Sequence, residues 1–310
     1  MSPVILDILG VQVRWYGLMY VVAIIVGIVL VNLEIKRRGL KKEGKGGQEV
    51  LSLDDILDFV LITIPIAIIG ARLYYVIFSW HHYGQNLGDI YKIWEGGLAI
   101  HGGLLGGAIA LLIFCKWKKI NFWKFADIIA PAVVLGQSLG RFGNFMNGDA
   151  YGVPTDAPWG IVFPSTSPAA QAFSRAYTEV HLHPTMLYEM GGDLIIFGLL
   201  MLLRLKPFRD GFLISAYVMA YSALRFTVEF FRGDPLCFST QTSCLPYPAD
   251  QALTQVGFFG SLRVAQVISV ILFAYFAFVL IKRKLYVQDN TESGAESKHA
   301  THEKPEAASQ

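Results

Sequence analysis

Apolar residues along the chain collect into seven runs, each long enough to cross roughly 30 Å of hydrocarbon. They are Trp15–Leu33, Ile56–Ile77, Gly97–Phe114, Phe125–Phe142, Thr185–Leu203, Phe212–Phe231 and Val264–Ile281. The runs predict an all-α integral membrane protein with seven transmembrane helices. Polar stretches break the pattern. Residues 145–184 carry Pro154, Pro158, Pro164 and Pro168; these argue against a continuous helix and predict an external arm or head between the fourth and fifth helices. Residues 232–263 predict a second long external loop. Gln288–Gln310 is polar, without apolar periodicity, and predicts a disordered cytoplasmic tail, leaving residues 1–287 as one membrane domain. Met1–Val13 reads as a short apolar segment lying along the outer interface. No internal repeat points to a transporter built from two related halves.

Composition agrees: with 54% apolar and 16% charged residues, a soluble globular domain is excluded. Charge adds an orientation. Lys36, Arg37, Arg38, Lys41, Lys42 and Lys45 follow the first run, and Lys116, Lys118, Lys119 and Lys124 follow the third. Arg204, Lys206 and Arg209 follow the fifth, and Lys282, Arg283 and Lys284 the seventh. The opposite side carries Lys92, Arg175, Arg232 and Arg263. Because basic loops stay in the cytoplasm, the N-terminus is expected outside and the C-terminus inside. No basic residue precedes Arg14, so the first run predicts a retained span and not a cleaved signal peptide. A net charge of +2 gives no expectation of a nucleic-acid partner. Cys115 falls at the cytoplasmic end of the third run. Cys237 and Cys244 share an outer loop, where spacing is equally compatible with a disulfide and with two free thiols.

The polar residues inside these runs carry the chemistry. Gly136–Gly152, GQSLGRFGNFMNGDAYG, places Arg141, Asn144, Asn147 and Asp149 within nine residues. On a helix Arg141, Asn144 and Gly148 share a face. A membrane arginine is costly unless it meets protein, water or an anion; the alternative is an interfacial arginine with helix-capping asparagines. Arg14, Arg72, Arg141 and Arg225 all lie at or within the membrane, and four arginines together ask for an anion. The sixth run spaces Tyr221, Arg225, Glu229 and Arg232 by four, four and three, predicting one stripe of one helix. That ladder is either a structural charge network or a binding site. Gly102/Gly106 and Gly103/Gly107 give small-residue faces for close helix contact. Tyr74 and Tyr75 beside Arg72 read as anchors, Trp15 and Tyr16 fit an interfacial belt, and Glu189 is an unexplained acid in an apolar run. His101 is a natural proton acceptor at neutral pH.

Several of these motifs occur together in one family. Arg-Phe-Gly-Asn-Phe-Met-Asn-Gly-Asp-Ala-Tyr-Gly (141–152) resembles the signature of the bacterial prolipoprotein diacylglyceryl transferases, with Asp149 where the family has glutamate. Trp15-Tyr16-Gly17-Leu18 and His101-Gly102-Gly103-Leu104 are similar to family motifs. So are His183-Pro184-Thr185-Met186-Leu187-Tyr188-Glu189, which reads His-Pro-Ser-Gln-Leu-Tyr-Glu in the family, and Tyr221 to Arg232. Leu236–Pro246 looks like an insertion. The resemblance spans residues 10–285. It implies transfer of diacylglyceryl from phosphatidylglycerol to the lipobox cysteine of a prolipoprotein signal peptide, in the inner membrane, without metal or cofactor. It makes His101 the base for the thiol and sets Arg141 and Arg225 on the departing phosphate. Tyr16, Asn144, Asn147, Asp149, Tyr221, Glu229 and Arg232 become lipid or substrate ligands, with Gly152 leaving room. A transporter or channel for an anionic or lipid-like substrate is the alternative; it predicts a polar path through to the cytoplasm, whereas these residues gather at one side.

Overall fold

The computed structural model describes residues 2–8, 11–40, 51–169, 180–235 and 263–287. Cys237, Cys244, the 236–246 insertion, Arg175 and the 288–310 tail lie outside the described residues. The chain forms two compact units, residues 2–143 and residue 144 onward.

The first unit opens with an antiparallel hairpin, β1 (Val4–Ile8) and β2 (Val11–Arg14), paired Leu6 to Val13 and Asp7 to Gln12. The expected lone interfacial segment is therefore a ribbon. Its β-branched residues alternate with Gln12 and Arg14, and pairing satisfies backbone groups that a single strand would leave open. The hairpin closes onto α1 (Trp15–Arg37) through Trp15 N–H to Pro3 O, 3.1 Å. Helix α1 outruns its apolar stretch because Glu34, 2% exposed, accepts from Arg37 at 2.7 Å and from Arg38 at 2.7 Å, so the last turn is held by ion pairs.

Helix α2 (Leu53–Phe78) starts on a capping box of Ser52 and Asp55 and is followed by the one-turn α3 (Trp80–Tyr83). Helix α4 (Ile100–Lys118) runs antiparallel to α2. Lys118 reaches Asp55 at 2.7 Å and Asp58 at 2.8 Å at one end. At the other end Gly102 and Gly106 lie on the backbone of Gly70, Ile66 and Ala67. A Cβ on Gly106 would sit 2.6 Å from Ile66 O, so the 102/106 face is the contact, while nothing lies within 4 Å at Gly107. Helix α5 (Phe122–Asn147) adds Phe125 and Ile128 to an apolar core with Val31, Ile35, Ile56 and Phe114.

The second unit contains α6 (Thr185–Leu203), α7 (Phe212–Glu229) and α8 (Val264–Lys282). Phe163, Ala169 and Leu182, from the described parts of the segment before α6, form a small buried core with Met186 of α6. All seven predicted runs are helical. Among the described residues, five helices, α1, α2, α4, α6 and α8, are long and apolar enough to cross a membrane. The other two, α5 and α7, carry the signature and the arginine–glutamate stripe.

Candidate active site

Tyr16, His101 and Arg141 belong to the first unit; Asn144, Asn147, Asp149, Gly152, Tyr221, Arg225, Glu229 and Arg232 belong to the second. In the first unit the Tyr16 ring lies over the signature glycine Gly143, where a Cβ would meet it at 2.9 Å, and Trp15 packs edge-on to Phe142 at 5.5 Å. Tyr16 thus packs from α1 onto the turn of α5 that carries Arg141, which is half-buried. His101 stands in the first turn of α4 with its ring stacked on Tyr74, 5.7 Å between centroids.

Arg72 differs from the expectation that four arginines await an anion. It is 6% exposed and gives its five N–H groups to five backbone carbonyls. Nε meets Ile90 O at 2.8 Å, and Nη1 meets Gly96 O at 2.6 Å and Gly97 O at 2.9 Å. Nη2 meets Asp89 O at 2.6 Å and Lys92 O at 3.3 Å. Its donor capacity is filled by the protein. Arg14 is exposed and bonds Gln12 at 3.0 Å.

In the second unit α5 ends with Gly148 at φ +72, the left-handed C-cap that glycine adopts without strain; Gly148 and Asp149 N–H both bond Asn144 O, at 2.9 and 3.2 Å. Asp149 Oδ1 accepts from Asn144 Nδ2 at 2.7 Å and Oδ2 from Asn147 Nδ2 at 2.8 Å. One carboxylate therefore orients two signature amides, a task that draws on its charge.

Gly152 sits where three chain segments cross. Its N–H bonds His183 O at 2.9 Å, Val153 N–H bonds Phe231 O at 2.8 Å and Gly233 N–H bonds Tyr151 O at 3.0 Å. A Cβ there would lie 2.5 Å from His183 O and 2.7 Å from Phe231 O, so the room that glycine leaves is taken by backbone. Thr185 Oγ1 donates to Ala150 O at 2.6 Å, tying the start of α6 to the same loop. Met186, where the family has glutamine, is 0% exposed in the apolar core, which explains an apolar residue at this position. Burial pushes the Tyr151 phenol up to about 12 and holds the His183 imidazole below its usual range. His183 Nδ1 lies 2.9 Å from Tyr188 OH, which also accepts from Trp159 Nε1 at 2.7 Å.

The arginine–glutamate stripe is corrected in part. Arg225 Nη2 lies 2.8 Å from Glu229 Oε2, and Nη1 lies 3.8 Å from Glu189 Oε2. Tyr221 OH donates to Glu189 Oε1 at 3.1 Å. Both carboxylates are buried, Glu189 at 0% and Glu229 at 1% exposure. Arg232, however, lies past the end of α7; it bridges to Gly152 and forms a two-point pair with Asp234, Nε–Oδ1 2.9 Å and Nη2–Oδ2 2.8 Å. Its planar fork finds a better match there than on the helix stripe. Arg263, counted from sequence as a loop charge, donates Nη1 to the carbonyls of Glu229 and Arg232 and so closes the C-terminus of α7, where a cation is favoured. Glu189 is the member sequence pattern left outside the site; an acid in an apolar run was its signal. Among the described residues, no cluster of three or more His, Cys, Asp or Glu is arranged to hold a metal.

Comparison with known proteins identifies the family. The family model described as prolipoprotein diacylglyceryl transferase matches residues 3–282. Phosphatidylglycerol–prolipoprotein diacylglyceryl transferases are similar over most of the chain. That of Prochlorococcus marinus (strain MIT 9301) is 35% identical over 92% of this chain and 93% of its own. That of Clostridioides difficile (strain 630) is 37% identical over 87% and 91%, and that of Finegoldia magna 36% identical over 94% and 100%. With its signature clasped by Asp149, its α7 arginine set between two buried acids and a family match running nearly from end to end, the chain belongs to the prolipoprotein diacylglyceryl transferase family.

Proposed function

We propose that the protein transfers the diacylglyceryl group of phosphatidylglycerol to the lipobox cysteine of a prolipoprotein signal peptide. The setting is the bacterial inner membrane, crossed by seven helices with the N-terminus outside and the C-terminus in the cytoplasm. Family membership and the printed activity of the relatives support the reaction. The thiol sulfur, once deprotonated, attacks the glyceryl carbon; the C–O bond to phosphate breaks, a thioether forms, and glycerol phosphate leaves with the electron pair. The atoms balance without a redox partner.

His101 takes the thiol proton, and Arg141 and Arg225 stabilise the charge that builds on the leaving phosphate. Tyr16, Asn144 and Asn147 orient the headgroup, with Asp149 fixing the two amides. Tyr221 and Glu229 brace Arg225, and Gly152 and Arg232 brace the loop behind the signature. One observation carries the phosphate assignment. Arg225 is held on one side by Glu229 at 2.8 Å, yet its buried Nη1 makes no hydrogen bond among the described residues. A buried guanidinium nitrogen with an unused donor is costly unless an acceptor arrives, and a phosphate oxygen is such an acceptor.

Peptide-dependent release of glycerol phosphate from labelled phosphatidylglycerol tests the reading. Release requiring the peptide thiol supports transfer. Release without peptide would make the reaction a hydrolysis and not a transfer, and flux of an anionic lipid across liposomes without product would favour the transporter instead. Impermeant labelling of a cysteine engineered near Arg175 in intact cells tests the orientation, and labelling only after lysis would reverse it.

A further inference from the structure

We infer that Arg72 is a positioning residue for His101, acting through the chain that leads into α4; the inference rests on His101 being the base proposed above. Arg72 spends its five donors on five carbonyls of one connection, residues 89–97, and its guanidinium lies over the Tyr83 ring at 5.0 Å. Gly97, at φ +74, is what brings its carbonyl in: a Cβ there would run into Arg72 Nη1 and stand 2.9 Å from the Tyr75 ring.

Neighbouring residues on α2 continue the grip. Ala71 O accepts from Ala99 N–H at 3.1 Å, and Gly102 is pressed on the backbone of Gly70 and on Tyr74 Cβ, 2.5 Å from the position its own Cβ would take. Residues 70–74 therefore hold the chain at 96, 97, 99 and 102, on both sides of His101, and the Tyr74 ring stacks on the imidazole itself. A side chain in the first turn of a helix takes its direction from how that turn is anchored. The arginine never needs to touch substrate; it fixes where the imidazole stands when the thiol arrives. Misplacement of a reacting group by about 1 Å costs on the order of 100-fold in rate.

Arg72→Lys in the full-length protein tests this, because one ammonium with three donors at a single atom cannot span five carbonyls. The expected result is a kcat at least about tenfold lower, with KM for phosphatidylglycerol essentially unchanged and a folded protein by thermal melting. In a His101→Gln background, assayed by end point over long incubations, Arg72→Lys should cause no further loss, as residues acting through one another are non-additive. Equal losses in both backgrounds, a loss confined to KM, or normal kcat would overturn the inference. Should His101→Gln retain no measurable turnover, the kcat–KM split of Arg72→Lys decides alone. Should Arg72→Lys fail to fold, Gly97→Ala decides, because its methyl would run into Arg72 Nη1 and displace it from the connection while leaving His101 and the arginine charge in place: a kcat-specific loss supports the inference and normal kcat ends it. Normal turnover of His101→Gln would remove the base itself, a failure distinct from any behaviour of Arg72→Lys.

Discussion

Replacing Arg225 by lysine keeps the charge and removes the planar fork, which isolates what the guanidinium contributes. In the native protein Nη2 is 2.8 Å from Glu229 Oε2, and Nη1 points towards Glu189 Oε2 at 3.8 Å. The fork can therefore hold an acid with one nitrogen and offer the other to a phosphate. A lysine ammonium placed on Glu229 keeps the i,i+4 ion pair but has no second nitrogen to offer. The loss is one charge-assisted hydrogen bond in the transition state, about 1.5–3 kcal/mol, which converts to about ten- to 150-fold in kcat. Stability should change little, because Glu229 keeps a cation beside it and Glu189 keeps the Tyr221 hydrogen bond. Alanine is the wrong probe: it strands Glu229 and Glu189 as buried carboxylates without their arginine, at a cost of about 3–5 kcal/mol, and confounds folding with catalysis. The assay is turnover of phosphatidylglycerol with a lipobox peptide, read beside the thermal melt of the same preparation. A folded Lys variant within twofold of native kcat would refute the argument.

Other substitutions probe the remaining parts. Asp149→Asn places a donor against one of the two asparagine amides and should lower turnover by about tenfold, after discounting the roughly 1.5–3 kcal/mol of a charged bond for its half-exposed setting; Asp149→Glu, which keeps the charge, should stay active, and the reverse order of kcat values would dismiss the clasp. Gly152→Ala should lower the melting temperature, since its methyl meets backbone of residues 183 and 231 and overpacking costs about 1–3 kcal/mol or more; an unchanged melt would contradict the crossing. His183 is held below its usual range by burial, so the folded protein binds fewer protons there than the unfolded chain. Stability then rises with pH, is complete above the unfolded imidazole value and is lost as pH falls below it through the lowered folded value. His183→Gln should flatten that slope, and an unaltered melting curve across those pH values would show that the imidazole does not titrate as described.

The helices were legible because long apolar runs stand out in sequence, so each predicted run coincides with a helix, five of which are long and apolar enough to cross a membrane among the described residues. Their ends were not, because side-chain contacts decide them: α1 continues to Arg37 on the Glu34 ion pairs, and α5 continues through the signature to the left-handed Gly148. The 4–14 hairpin went unread because the segment is too short for two-residue alternation to stand out against general apolarity. Arg72 looked like Arg141 and Arg225 from sequence alone. What separates it is a set of backbone carbonyls 17 to 25 residues away, and carbonyls have no residue type to read. The same limit hid Arg263 at the end of α7. Arg232 was misread for the opposite reason: its spacing from Glu229 fits a helix stripe, but the helix ends first and Asp234 offers both carboxylate oxygens to its fork.

The central claim is that a cysteine thiol takes a diacylglyceryl group from phosphatidylglycerol. Mass spectrometry of a lipobox peptide incubated with the purified protein and phosphatidylglycerol measures it directly. The account predicts a thioether adduct on the cysteine sulfur that carries both acyl chains of the donor lipid, absent with a Cys→Ser peptide and strongly reduced with Arg141→Ala protein that melts like the native one. An unmodified peptide beside intact lipid, or full transfer by the Arg141→Ala protein, would contradict it.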